Sequence, residues 1–141
     1  MYHTLILAGN IGRDPEMRYT PSGQAVTNFS VAVNDSYTNS QGERVERTIW
    51  IRVSTWGKLA ETCNQYLKKG RKVLVEGRLT PDASTGGPRI WTRQDGTQSA
   101  SYEITANTVR FLSSKGEGEG GSASSEASFG QPPEGDMDVP F

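Results

Sequence analysis

The stretch Thr48-Ile49-Trp50-Ile51-Arg52-Val53-Ser54-Thr55-Trp56 alternates as a strand does, and its two phases are unlike. Successive strand side chains point to opposite faces. Ile49, Ile51 and Val53 therefore share one face, aliphatic and suited to a core. Trp50, Arg52, Ser54 and Trp56 share the other, which sets two indoles beside a guanidinium on what ought to be the solvent side. Arg89-Ile90-Trp91-Thr92-Arg93 repeats the device, with Trp91 between Arg89 and Arg93 in one phase. Trp is ordinarily well buried, and Arg covers aromatic rings in many proteins, so a single such pair says little. Here all three tryptophans of the chain stand in register with Arg, on two separate strands. Flat π surfaces for unpaired bases and cations for phosphates are the two ingredients of single-stranded nucleic-acid binding.

Working outward, Ala25-Val26-Thr27-Asn28-Phe29-Ser30-Val31-Ala32-Val33-Asn34 is a second alternating strand, with Phe29, Val31 and Val33 apolar. Asn39-Ser40-Gln41-Gly42 reads as the hairpin loop between the two. Thr4-Leu5-Ile6-Leu7-Ala8 is a first strand, and Arg13-Asp14-Pro15 and Thr20-Pro21-Ser22-Gly23 are turn chemistry. An uncovered edge at residues 4–8 is the expected place for pairing between subunits. After Trp56 the period changes. Leu59, Cys63, Tyr66 and Leu67 make a helical stripe, with Gly70 placed to end it.

Lys68, Lys69, Arg71 and Lys72 surround that end, where they compensate the helix dipole, contact phosphates, or do both. Val73, Val75 and Leu79 are in phase on a fourth strand, and Tyr102 to Phe111 supply a fifth. Between them lie a loop at residues 81–88, the Trp91 arm and a Gln94-Asp95-Gly96-Thr97 turn. The order β-β-β-α-β-β predicts an all-β fold, a small closed barrel plugged by one helix. The five-stranded OB-fold is the oligonucleotide-binding member of that class, and other small barrels share the pattern.

Charge divides the chain. Residues 1–112 carry 14 Lys+Arg against 10 Asp+Glu, a balance of +4. Residues 113–141 carry one Lys against six acids, a balance of −5. That second part holds six Gly and six Ser with almost no aliphatics, too little to offset its ordering entropy, so a disordered linker is predicted over 113–135. Acidic tails often confer only solubility. This one closes on Asp136-Met137-Asp138-Val139-Pro140-Phe141, and a solubility tail has no reason to finish on an exposed Phe. Asp136, Asp138, Val139, Pro140 and Phe141 suit a partner's pocket with an apolar floor and a cationic rim.

Enzymatic readings find little. Asp14, Asp35, Glu46, Glu61, Glu76 and Asp95 are scattered without metal-ligand spacing, which disfavours a nuclease. His3 and Cys63 are far apart in sequence and make no zinc site. They read as a surface or interface residue and a helix core residue. No catalytic residue, metal or cofactor is expected. One Cys suits a reducing compartment. No leader and no apolar run of membrane-spanning length is visible, so a soluble protein of the cytoplasm, associated with the nucleoid, is expected.

Gly9-Asn10-Ile11-Gly12-Arg13-Asp14-Pro15-Glu16-Met17-Arg18-Tyr19, the strand ending at Asn34, Trp56-Gly57-Lys58-Leu59-Ala60-Glu61 and Tyr66-Leu67-Lys68-Lys69-Gly70 together resemble the bacterial single-stranded DNA-binding protein family. The resemblance covers residues 1–112, and the Asp138-Val139-Pro140-Phe141 ending resembles the family's C-terminal tip. It implies an OB-fold domain assembled as a homotetramer, with single-stranded DNA wrapped around it. It also implies a tip at 136–141 that docks replication, recombination and repair proteins. Carried over by position, the family's base-stacking aromatics fall on Tyr37, Trp50, Trp56 and Trp91, and its basic positions on Lys58 and Lys69. With Arg52, Arg89 and Arg93 from strand phase, these are the expected DNA-binding residues. Tyr37 has no support from phase, since Asp35-Ser36-Tyr37-Thr38-Asn39 reads equally as a loop. The 81–88 loop lengthens the approach to Trp91 beyond the family pattern. Stacking does not sense the 2′-OH, so physics alone leaves DNA and RNA equivalent.

Overall fold

In the computed structural model, which describes residues 1–112, the elements follow in the order β1 (Leu5–Ile11), β2 (Glu16–Tyr19), β3 (Ala25–Thr38), β4 (Arg44–Trp56), α1 (Gly57–Tyr66), β5 (Lys72–Leu79), β6 (Ile90–Thr92), β7 (Gln98–Ala100) and β8 (Tyr102–Phe111). Five strands close a barrel in the order β1-β5-β8-β4-β3, and a second pairing of β1 with β3 joins the ends. The β4–β8 pair runs parallel, from Ile51↔Tyr102 to Ser54↔Thr105, and the other neighbours are antiparallel. This is the OB-type barrel with one helix expected from the sequence. The expected linker and the tip residues 136–141 lie outside the described residues.

The aliphatic phase of β4 does build the core. Ile51 and Val53 pack with Phe29 and Val31 of β3, Val73 and Val75 of β5, and Ile104 of β8, while Cys63 and Leu67 close one end. Two buried threonines tie the helix to the wall. The Thr27 hydroxyl donates to the Ala60 carbonyl at 2.7 Å, and the Thr55 hydroxyl donates to the Thr27 carbonyl at 3.0 Å. Among the described residues no buried side-chain polar atom lacks a partner, so this polar layer bears no cost of an unpaired buried group. Closure needs a glycine. β1 pairs with β5 as far as Asn10 and with β3 at Asn10 and Ile11. A Cβ on Gly9 would stand 2.2 Å from the Ala32 carbonyl oxygen and hold the strands apart.

Five features depart from the sequence reading. β3 runs on to Thr38, because residues 35–38 pair with residues 44–47 and the Asp35–Arg47 ion pair at 2.5 Å bridges them. The turn-like composition of that segment is overridden by cross-strand contacts. Glu16–Tyr19 forms a short strand on the outer edge of β3. Tyr66 leaves the helical stripe for solvent and meets Phe111 at 6.0 Å between ring centroids, because Leu67 takes the core position. The helix stops at Tyr66, and Gly70, with φ of 86°, turns the later Lys68–Arg71 corner instead. Leu79 keeps its phase but lies beyond the end of the barrel and is exposed.

Cys63 is fully buried, and burial pushes its thiol up from 9.0 to about 11, partly offset by the Thr55 hydroxyl. The folded state thus holds that proton more tightly than the unfolded chain does. The stability this contributes is complete below about pH 9 and is lost as pH rises toward about pH 11. We expect the stability gap between the native chain and Cys63→Ala, measured by urea denaturation, to narrow across that window. A constant gap would contradict the assignment.

Candidate nucleic-acid interface

Packing of Ile51 and Val53 fixes the opposite phase of β4 outward. Across the ladder from Trp50, Arg52 and Ser54 stand Ala32, Ser30 and Asn28. These side chains are too short to cover an indole. The Ser54 hydroxyl donates to Asn28 Oδ1 at 2.8 Å and braces the surface. Trp50 is 55% exposed and Trp56 42%. Arg52 stays exposed, its guanidinium 3.6 Å from Glu103 on the neighbouring β8.

The second tryptophan strand joins the first. β6 and β7 form a separate hairpin with Trp91 opposite Ser99, and the Arg93 guanidinium donates to the Ser99 hydroxyl at 3.0 Å. This hairpin is the far wall of a groove of about 680 Å³ whose lining includes Trp50, Arg52, Trp91 and Arg93. Four of the nine expected residues therefore meet in one place.

The other five do not line it. Trp56 shares the phase of Trp50 six residues further along β4, roughly 20 Å away at strand rise, and serves as N-cap of α1. Lys58 is exposed in the first turn of that helix. Lys69 follows the helix and donates its backbone N–H to Asp14 Oδ1 at 2.9 Å, which ties it to the groove's rim. Arg89 is exposed just before β6. Tyr37 is on a strand and not in a loop, but it pairs with Val45, in the phase opposite to Trp50. The Arg47 guanidinium lies over its ring at 5.0 Å.

Sequence reasoning missed two contributors. Arg13 lines the groove as a third guanidinium, beside Asp14 and Glu16; its place in a turn gave it no phase to read. Gly12 lies under Trp50, where a Cβ would come within 2.4 Å of Cζ3 of the indole. The only signal was a glycine in a turn. Among the described residues no cluster of His, Cys, Asp and Glu could hold a metal ion, and no helix is long and apolar enough to cross a membrane.

A closed small barrel with such a groove defines a class, the barrels that hold single-stranded nucleic acid. The chain belongs to the Single-strand binding protein family, whose profile matches residues 2–112. These are non-enzymatic DNA-binding proteins. A Single-stranded DNA-binding protein of Neisseria meningitidis serogroup B is 43% identical over 127 residues, which span 90% of this chain and 68% of that protein. Its counterpart in Wolinella succinogenes is 39% identical over 86% of this chain and 70% of its own length. The crystal structure of a deletion mutant of the single-stranded DNA binding protein from Thermus aquaticus superposes with a TM-score of 0.62 at 31% identity. The match covers 80% of this chain and 51% of that one. The Plasmodium falciparum SSB in complex with ssDNA gives a TM-score of 0.66 at 24% identity, over 80% of this chain and 97% of that one, a likeness of fold.

Gly12→Ala tests the seating of Trp50 directly. The ring end of a side chain moves more easily than backbone, so the indole should tilt while the barrel keeps its melting temperature. We expect a shifted tryptophan emission and single-strand binding weakened by up to about 1–3 kcal/mol. Unchanged emission and affinity would show that the glycine is incidental.

Proposed function

We propose that this single-stranded DNA-binding protein holds its strand without reading sequence, by stacking bases on Trp50 and Trp91 and meeting phosphates with Arg13, Arg52 and Arg93. The observation that carries this reading is convergence: two indoles from separate elements line one groove together with three guanidiniums. Every base has a π face, so stacking tolerates all sequences. Trp56 with Lys58, Lys69 and Arg89 extend the path along the barrel, and Tyr37 receives bases on the protruding β3–β4 arm. The bound strand is thereby protected during replication, recombination and repair in the cytoplasm.

Tryptophan emission should be quenched on addition of oligothymidylate. Trp50→Ala and Trp91→Ala should each weaken binding by about 1–3 kcal/mol without lowering the melting temperature. The logarithm of affinity should fall against the logarithm of salt concentration, by about 0.7 per phosphate neutralised. A Trp50→Ala protein that binds normally but melts early, or a flat salt titration, would sink the reading.

A homotetramer is the proposed assembly. Its support is the edge of β1: residues 5–8 pair with β5 on one side, and the β3 pairing on the other side begins only at Asn10. An open strand edge is a template for a second chain. The tip residues Asp136, Asp138, Val139, Pro140 and Phe141 are proposed to recruit replication, recombination and repair proteins, with acids and an apolar group read by one pocket. Deleting residues 136–141 should abolish that recruitment in a pull-down and leave DNA affinity equal or slightly tighter, most visibly at low salt. Retained partners with lost DNA affinity would reverse this division of labour.

A further inference from the structure

The Trp50–Trp91 groove does not stop at its own wall. A second hollow of about 430 Å³ adjoins it and shares Trp50, Ala100 and Ser101 with it, while adding Arg47 and Tyr102. A third, of about 240 Å³, continues past Ser101 and Tyr102 to Leu79, Pro81 and Pro88. The three make one trench across the β7–β8 junction, and Tyr102 stands where the second meets the third.

Tyr102 is 66% exposed. It opens β8 opposite Ile51, in the core phase but beyond the core itself, so its ring has a free face and no packing role to lose. The 81–88 segment bounds the far end as a fixed wall. Asp82 Oδ1 accepts from the backbone N–H groups of Ser84 and Thr85 at 2.9 and 3.2 Å. The Asp82 and Gly87 backbones bond at 2.8 Å and close the loop on itself. The Ser84 hydroxyl, which donates to the same oxygen, and those two N–H groups hold the Asp82 carboxyl below the usual carboxylate range.

We propose that Tyr102 is a further base-stacking residue, and that the strand runs from the Trp50–Trp91 groove over Ala100 and Ser101 to end against the 81–88 loop. The inference rests on the reading of the groove given above. An unpaired base is the occupant because the hollow is continuous with that groove and offers an aromatic face. Arg47 is the cation at this station, held by Asp35 and lying over Tyr37.

Trypsin separates the stations. The peptide 48–52 carries Trp50, the peptide 90–93 carries Trp91, and the peptide 94–110 has Tyr102 as its one aromatic residue. Iodouracil-substituted oligonucleotides irradiated on the full chain should cross-link to all three. In solution, Tyr102→Ala should weaken binding of long oligonucleotides about fivefold or more. It should leave unchanged the affinity for short ones that fill only the Trp50–Trp91 groove, and Tyr102→Phe should restore the loss. Cross-links at Trp50 and Trp91 with none on 94–110, and a length-independent Tyr102→Ala titration, would overturn the inference and leave the groove standing. Absence of cross-links at Trp50 and Trp91 would instead overturn the reading beneath it.

Discussion

Strand β4 can be seated in one register. Ile51 and Val53 fill the barrel between β3 and β8, and Thr55 is committed to a buried hydrogen bond with Thr27. Because strand side chains alternate with period two, a slip of one residue would bury Arg52 with two indoles and expose the aliphatics. The core therefore decides where the tryptophans go. Full burial of a large apolar side chain contributes about 1.5–3 kcal/mol, and Trp50, more than half exposed, forgoes much of that. Stability is given up at Trp50 and recovered from the opposite face of the same strand.

The groove is assembled from pieces of unequal rigidity. Its floor is the β3–β4 ladder, paired over thirteen residues and braced by Ser54 and Asn28. Its rim comes from the turn after β1, where Gly12 makes room for the indole and Asp14 ties in the chain beyond the helix. Its far wall is a hairpin of two three-residue strands. An isolated two-stranded hairpin is marginally stable by itself, so Trp91 rides on the most yielding element while Trp50 is fixed. Under the proposed stacking, that combination lets one wall adapt to bases of different size over a floor that keeps its register.

Much of this was legible in the sequence wherever alternation was strong. The faces of residues 49–56, the Phe29–Val33 core positions and the β-β-β-α-β-β order all follow from side-chain period. What stayed hidden depended on contacts between distant segments. The outer reach of β3 is polar and turn-like, and becomes strand through its partners on β4. Tyr66 and Leu67 both fit a helical stripe, and the point where the helix ends decides between them. Arg13 and Gly12 lie in a turn with no period, so their place beside Trp50 is a product of barrel closure. The contrast between Arg93 and Arg89 is similar, since phase made them equivalent and the hairpin brings one of them into the groove.

The charge in the groove is more balanced than a polyanion site needs. Arg13 stands with Asp14 and Glu16, and Arg52 is matched by Glu103. A strongly cationic groove would attract duplex and single strand alike, because phosphate contacts carry no information about base pairing. Carboxylates beside the guanidiniums weaken that indiscriminate term, and Glu103 pairs with Arg52. In the proposed stacking, the indoles supply the complementary term, which a duplex cannot exploit because its bases are already stacked and paired. On that proposal, discrimination for unpaired strands follows from the ratio of the two terms, with stacking large and net charge small, and the pleat of β4 sets that ratio by placing Trp50 and Arg52 side by side on one face.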